Sequence, residues 1–161
     1  MEQRAIVTED AIGFRDVLPE GGALMGLDLG SKTIGVALCD PGWSFATAGK
    51  TLPRGKFTKD CAALADIAKQ RSVRGVVVGL PLNMDGTSGP RAQASRAFAR
   101  NLSAALELPV LLWDERWSTA SAERDMIAQD TSRRKRAERI DSHAAAVILQ
   151  GAIDRLAGGL F

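Results

Sequence analysis

The fold is decided by residues 24–39, which read Leu-Met-Gly-Leu-Asp-Leu-Gly-Ser-Lys-Thr-Ile-Gly-Val-Ala-Leu-Cys. Two short apolar runs, 24–29 and 34–39, flank a turn that contains glycine, serine, lysine and threonine. Apolar runs of this length around a short polar turn predict an antiparallel β-hairpin. A third antiparallel strand is predicted over residues 43–52, so the folded part of the chain begins with three consecutive strands.

After the third strand, the spacing of the apolar residues changes from that of a strand to that of a helix. Apolar residues between Phe57 and Ala68 recur at helical intervals, which predicts an amphipathic helix. The run Gly-Val-Val-Val-Gly-Leu at 75–80 is apolar on both faces, which is typical of a central parallel strand. The other predicted elements are a helix at 89–106, a strand at 109–113, and helices at 119–128 and 139–156.

This order of elements, β-β-β-α-β-α-β-α-α, predicts an α/β fold. We expect a mixed five-stranded sheet, in which three antiparallel strands are followed by two parallel strands, with helices on both faces. The chain has 161 residues and a mass of 17.1 kDa, which is the size of one domain. Residues 1–22 are acidic and only weakly periodic. They are therefore predicted to form an N-terminal extension before a domain at 23–161.

The composition excludes several classes of protein. Apolar residues make up 45% of the chain and charged residues 25%, which excludes general disorder. Cys39 and Cys61 are too few for a disulfide framework, and no apolar run has the length of a membrane span. The N-terminus lacks the basic start and apolar stretch of a secretory signal, so we expect a cytoplasmic protein with reduced thiols.

Two acidic residues interrupt patterns that otherwise require apolar side chains. Asp28 is the only polar residue of the run 24–29, and Asp141 falls on the apolar side of the last predicted helix, beside Ala145 and Ile148. Burying a carboxylate is costly unless the carboxylate is paired or binds a metal ion. Each acid also has a structural explanation. The first could cap the turn that follows it, and the second could be favoured by the dipole at the start of its helix.

Another acidic pair, Asp114 and Glu115, follows the buried strand predicted at 109–113. In open α/β sheets, ligands bind at the carboxyl ends of the strands. Adjacent residues on a strand point to opposite faces, so at most one of these two acids is expected to face a site. The alternative is a solvated turn that leads into the next helix.

Carboxylates from two strands and one helix form the kind of ligand set that a hard divalent cation such as Mg²⁺ prefers. Two such ions about 4 Å apart could activate water and stabilise the leaving oxygen in phosphodiester hydrolysis. Lys32, Arg116 and the basic run at 133–136 could hold phosphates, although such a run is also common in solvated loops. The pattern therefore predicts a metal site that acts on phosphate esters.

Four motifs resemble, in this order, the YqgF/RuvX family, whose members are named as pre-16S rRNA nucleases and are relatives of the RuvC Holliday junction resolvase. The motifs are Met-Gly-Leu-Asp-Leu-Gly-Ser-Lys-Thr-Ile-Gly-Val-Ala at 25–37, Gly-Leu-Pro-Leu-Asn-Met-Asp-Gly-Thr at 79–87, Asp-Glu-Arg-Trp-Ser-Thr at 114–119 and Ile-Asp-Ser-His-Ala-Ala at 140–145. The resemblance covers residues 24–157 and implies an RNase H-like nuclease fold for the domain at 23–161.

The resemblance also implies a set of catalytic acids. The acidic residues of the family fall on Asp28, Glu115 and Asp141, which would be both the catalytic residues and the ligands of Mg²⁺ or Mn²⁺. It selects Glu115 rather than Asp114 from the acidic pair. Thr33 stands where the family usually has an arginine.

The implied function is a cytoplasmic metal-dependent endonuclease that processes the 5′ end of pre-16S rRNA, with Lys32, Asn83 and Arg116 on the substrate. One alternative is a Holliday junction resolvase-like endonuclease that cuts branched DNA as a homodimer. Another is a nucleic-acid-binding factor in ribosome assembly or transcription that has no catalytic turnover. The motif at 28–32 also resembles the phosphate hairpin of sugar kinases and actin-like ATPases. Those proteins need two such domains, and this chain has room for one.

Overall fold

The computed structural model describes the backbone of residues 6–117 and 133–158, and the side chains of residues 6–117 and 142–158. In chain order, the elements are β1 Val7–Thr8, α1 Ala11–Asp16, β2 Ala23–Leu29, β3 Thr33–Cys39, β4 Ala46–Pro53, α2 Phe57–Gln70, β5 Val73–Leu80, α3 Pro90–Leu106, β6 Val110–Asp114, a 3₁₀ turn Glu115–Trp117, and α4 Arg133–Gly158. The helix predicted at 119–128 lies outside the described residues.

The strands form one sheet in the order β1-β6-β5-β2-β3-β4. The hairpin strands β2, β3 and β4 are antiparallel to one another, whereas β5 pairs in parallel with β2, and β6 pairs in parallel with β5. The predicted α/β fold, with three antiparallel strands followed by parallel ones, is therefore confirmed. The sheet has a sixth strand because the two residues of β1 add to the free edge of β6. A strand of two residues is too short to produce an alternating pattern that could be recognised in the sequence.

The N-terminal segment packs against the rest of the domain. The backbone N–H of Val110 in β6 donates to the carbonyl of Ile6 at 2.7 Å. In and just after α1, Phe14 and Leu18 are buried in the same apolar cluster as the α4 residues Ile153 and Leu156. Residues 6–18 therefore cover one sheet edge and one end of the core, which the acidic composition of this segment did not indicate.

Helices cover both faces of the sheet and enclose two apolar cores. On one face, α2 and α3 bury residues such as Leu64 and Leu102 against the strands. On the other face, α4 buries Ile148 and Leu149. Helix α4 begins at Arg133, six residues before the predicted start at 139. No helix in the described part of the chain is both long enough and apolar enough to cross a membrane.

Helix α4 lies unusually close to β2. A Cβ atom placed on Gly26 would lie 2.7 Å from Cβ of Leu149 and 3.1 Å from the carbonyl oxygen of Ala145. Only a residue without a side chain leaves room for the helix at this point. Further towards the helix N-terminus, the hydroxyl of Ser142 contacts that of Thr51 in β4. Helix α4 therefore runs antiparallel to β2, with its N-terminal half towards the carboxyl end of that strand.

Replacing Gly26 with alanine should destabilise the fold by about 1–3 kcal/mol, because the added methyl group overpacks the contact between β2 and α4. Urea unfolding followed by circular dichroism measures this change. Gly55→Ala is the matched control, since a Cβ at that position would have nothing within 4 Å. Equal effects of the two substitutions would contradict the close contact.

Candidate active site

Asp28 lies near the carboxyl end of β2, with only 2% of its surface exposed. On β3 its partner in the ladder is Gly35. On β5, Val78 pairs with Leu27, so Gly79 is the neighbour of Asp28 on that side. Neither neighbour has a side chain, so other groups can approach the strands closely on this face, and at Gly79 these groups are Ile148 and Glu115. This face is the one covered by α4, because Gly26, two residues earlier on β2, contacts that helix.

Glu115 opens the 3₁₀ turn that follows β6. A Cβ atom on Gly79 would lie 2.7 Å from Oε2 of Glu115, so this carboxylate sits directly over β5. Neighbouring strands are about 4.8 Å apart, which places the Glu115 carboxylate roughly one strand spacing from Asp28. The structure thus brings these two predicted residues together on one face at the carboxyl edge of the sheet.

Asp141 belongs to α4, and its side chain lies outside the described residues. Its backbone lies two helical turns before Ile148 on α4. Ile148 lies over β5, because its Cδ1 would be 2.6 Å from a Cβ atom on Gly79. The next residue, Ser142, contacts Thr51, which pairs with Gly35 and so lies in the same row across the sheet as Asp28. Because α4 begins at Arg133, position 141 is not in the first turn, and the helix dipole does not explain an acid there.

Asp114, the last residue of β6, has a different environment from Glu115. Its carboxylate accepts hydrogen bonds from Nε of Arg116 at 3.1 Å and from Nη2 at 2.7 Å, and also from the Arg116 backbone N–H at 2.9 Å. Burial raises the pKa of Asp114, but the hydrogen bonds and charge of Arg116 outweigh burial and hold this pKa below its ordinary value. Asp114 is therefore a buried, ionised partner of Arg116.

Arg116 also reaches the loop after β5. Its Nη1 donates to the carbonyl oxygen of Met84 at 3.2 Å. The loop is closed by its own hydrogen bonds: the Asn83 side chain donates to Oγ1 of Thr87 at 2.9 Å, and Asp85 accepts from the backbone and the hydroxyl of Thr87. The predicted substrate residues Asn83 and Arg116 are thus joined through one ordered loop at the end of β5 and β6.

Lys32, the third predicted substrate residue, is exposed in the turn between β2 and β3. Gly30 donates through its backbone N–H to the Thr33 carbonyl at 2.9 Å and closes this turn. Arg54 braces the same turn, with its backbone N–H on the Lys32 carbonyl and its Nη1 on the Gly30 carbonyl. The structure places Lys32 at the end of the strand that carries Asp28, on the opposite side of Asp28 from β5 and β6.

The described carboxylates fit a hard divalent cation, because a buried aspartate and a glutamate offer oxygen ligands at one point of the sheet. Within the side chains that the structure describes, no group of three His, Cys, Asp or Glu residues could hold a metal ion. Asp28 and Glu115 supply two such ligands, and the third predicted ligand, Asp141, is outside that set. The arrangement favours Mg²⁺ or Mn²⁺ over metals that prefer sulfur or imidazole ligands.

Two features of the site were not recognised in the sequence. Gly35 and Gly79 stand beside Asp28 on the neighbouring strands, and Arg54 forms hydrogen bonds with the turn that carries Lys32. Gly79 did carry a signal, since a glycine within the valine-rich run of β5 indicates a close approach of another group. Arg54 had none, because it follows β4 at a distance in sequence from the turn that it contacts.

Comparison with known proteins identifies the family of this chain. A family model described as RuvX, a Holliday junction resolvase, matches residues 22–155. The chain belongs to the RuvX family. A relative from Novosphingobium aromaticivorans is 64% identical over 156 residues, which covers 97% of this chain and 100% of the relative. A relative from Sphingopyxis alaskensis is also 64% identical, over 94% of this chain and 99% of its own length. Each is named "Putative pre-16S rRNA nuclease".

Solved structures of similar fold include the RuvC resolvase from Thermus thermophilus in complex with a Holliday junction substrate. It matches this RuvX chain with a TM-score of 0.54 and 14% identity, over 85% of this chain and 96% of its own. A second Thermus thermophilus RuvC structure gives a TM-score of 0.50 at 10% identity, with coverages of 84% and 96%. At these identities the likeness shows the fold, which agrees with the predicted RNase H-like architecture.

The bonds between Asp114 and Arg116 should make the two residues act as one unit. We expect Arg116→Gln to lower the urea midpoint most, because it leaves the buried Asp114 carboxylate without its partner, and addition of Asp114→Asn to restore part of that loss. Glu9 and Arg96 form a more exposed ion pair, with side chains 50% and 29% exposed, and serve as the control. Their variants should change stability little. Additive effects at Asp114 and Arg116 would contradict the coupling.

Proposed function

We propose that this RuvX chain is a cytoplasmic metal-dependent endonuclease that processes the 5′ end of pre-16S rRNA. The main support for the proposal is that Asp28 and Glu115 lie over adjacent strands, close to the carboxyl ends of those strands. In open α/β sheets, ligands bind at the carboxyl ends of the strands. The names of the relatives from Novosphingobium and Sphingopyxis support the choice of reaction and substrate.

In this proposal, Asp28, Glu115 and Asp141 are the catalytic residues and would hold Mg²⁺ or Mn²⁺. A bound divalent ion supplies Lewis acidity towards phosphate oxygens and a water of lowered pKa. Asp28 is fixed by its strand and shielded from bulk water, so its carboxylate keeps its position as the substrate enters. Glu115 is half-buried and begins the 3₁₀ turn after β6.

Three further residues would contact the substrate. Lys32 is exposed and would place its ammonium group beside the scissile phosphate. Arg116 uses some of its N–H groups on Asp114 and Met84, and would offer the remaining ones to a phosphate oxygen. Asn83 would act from the edge of the site, because its exposed amide lies in the loop that Arg116 holds.

The description of the matching family model favours a second candidate, cleavage of a Holliday junction. The same carboxylates would serve this reaction, since both substrates are phosphodiesters. A junction resolvase cuts two strands symmetrically, so this function would require a homodimer. Symmetric paired cuts and a dimeric mass in solution would distinguish it from an RNA-processing enzyme.

The test compares cleavage of a pre-16S rRNA 5′-leader fragment and a four-way DNA junction with Mg²⁺, Mn²⁺ or EDTA. We expect metal-dependent cutting of the RNA that Asp28→Asn and Glu115→Gln abolish. Asp66→Asn, an exposed aspartate on α2, is the control and should retain full activity. Full activity of Asp28→Asn would refute the site. Binding without cutting of either substrate would favour the factor without turnover.

Gly79→Ala provides an independent test of the position of Glu115. The added methyl group would lie 2.7 Å from Oε2 of that residue and 2.6 Å from Cδ1 of Ile148, so both side chains must move. A displacement of about 1 Å can lower the rate about 100-fold, so we expect a loss of kcat of that order with little change in KM. Steady-state kinetics on the preferred substrate measure the change. Unaltered kcat in a folded Gly79→Ala variant would show that Glu115 has no catalytic role in this position.

A further inference from the structure

Three cations lie together beyond the carboxyl end of β2. Lys32 is in the turn that follows the strand, Arg54 follows β4, and Arg91 is in the first turn of α3. Nη1 of Arg54 donates to the Gly30 carbonyl at 2.6 Å, and Nη2 of Arg91 donates to the Leu29 carbonyl at 3.5 Å. These strand-end cations therefore converge from three separate parts of the chain on residues one to four positions after Asp28.

Arg54 is held in place on several sides. Its backbone N–H donates to the Lys32 carbonyl at 2.8 Å, and its guanidinium lies over the ring of Phe98, 5.6 Å from the ring centre. Phe98 in turn packs edge to face against Phe57 at 5.3 Å. An arginine that is already ordered loses less conformational entropy when it binds a ligand.

The strand-end cations are not neutralised by nearby acids. Across the described ranges, 6–117 and 142–158, none of the three forms an ion pair with a carboxylate, unlike Arg96, which pairs with Glu9, and Arg116, which pairs with Asp114. Each of the two guanidinium groups spends one N–H on a backbone carbonyl and keeps others. Positive charge with spare donors at this place fits an anionic ligand.

We propose that Arg54 and Arg91, together with Lys32, bind the phosphodiester backbone of the nucleic acid beside the scissile phosphate. The proposal rests on the nucleic-acid substrate inferred above and defines the path that the substrate takes. Gly30 is two residues beyond Asp28, which is about 7 Å along an extended strand. Asp28 faces α4, whereas Arg54 and Arg91 approach the end of the same strand from the α3 side. A nucleic-acid strand that crosses the end of β2 from one face to the other would therefore meet both groups. Phosphate contacts of this kind fix the position of the strand and read no sequence.

The salt dependence of binding tests this path. Anisotropy of a labelled single-stranded RNA is measured over a potassium chloride series in EDTA, where hydrolysis does not contribute. Each neutralised phosphate adds about −0.7 to the slope of log K against log salt. In the Arg54→Gln, Arg91→Gln double variant, this slope should therefore be less negative by about 1.4. The variant should bind RNA about 25-fold more weakly than the wild type at 0.1 M salt.

The matched control is the Arg71→Gln, Arg74→Gln double variant, which removes the same charge from exposed residues at the other end of the sheet. Arg71 follows the last turn of α2, about 20 Å along that helix from Phe57. This control should keep the wild-type slope. An equal loss of slope in both double variants, or no loss in either, would overturn the proposed path.

The single variant Arg91→Gln tests the proposal even if replacement of Arg54 unfolds the turn between β2 and β3. Its single 3.5 Å bond contributes little to the fold, so we expect an unchanged Tm and a slope reduced by about 0.7. A folded Arg91→Gln variant with the full slope would refute this contact. If the wild-type protein binds RNA but cuts neither substrate, the proposed nuclease activity is refuted, but the slopes still test the contacts of Arg54 and Arg91. If the enzyme is active and the slopes of the variants equal that of the wild type, only the proposed path of the substrate is refuted.

Discussion

The close packing of α4 against the sheet is the constraint on which the rest of the structure depends. Gly26 allows the helix to touch β2 through Leu149 and Ala145, and Gly79 allows Ile148 to reach β5. A side chain at Gly26 would meet Cβ of Leu149 and the carbonyl oxygen of Ala145, and would force the helix outward. Because the helix lies this near, its N-terminal half passes the carboxyl end of β2. The same absence of side chains gives the Glu115 carboxylate its place over β5.

The adjacent acids Asp114 and Glu115 lie in different environments at the end of β6. Asp114 ends β6 and is buried with Arg116, which compensates its charge through several hydrogen bonds. Glu115 starts the next turn and places its carboxylate on the opposite face, over Gly79. A buried carboxylate without a partner would be costly, and Arg116 stabilises the ionised form of Asp114. The two adjacent acids therefore lie on opposite faces of the sheet, and the proposed site would use only Glu115.

Positive charge is arranged on both sides of the acids. Arg116 stands on the β6 side, and the strand-end cations stand beyond β2. Asp28 and Glu115 lie over neighbouring strands on the face covered by α4, whereas Arg54 and Arg91 reach the end of β2 from the α3 side. Carboxylates alone would repel a polyanion, so a nucleic-acid strand needs flanking cations to approach them. In the proposed enzyme, Asp28 and Glu115 would contribute to metal binding, while cations on either side would position the phosphates.

The sequence by itself determined the α/β class and the order of the strands and helices between Ala23 and Asp114, because alternation and helical spacing are local signals. A lone acid in an apolar run made Asp28 a candidate site residue, and the resemblance to the RuvX family favoured Glu115 over Asp114 as a second candidate. Three matters were decided only by the tertiary structure: the edge strand Val7–Thr8, the coupling of Arg116 to Asp114, and the convergence of Arg54 on the turn of Lys32. The strand Val7–Thr8 is too short to give a recognisable pattern, and Arg54 is distant in sequence from Lys32. Asp114 and Arg116 are close in sequence, but which of the two neighbouring acids the arginine binds depends on the sheet face that each acid occupies, and this is fixed only when the sheet forms.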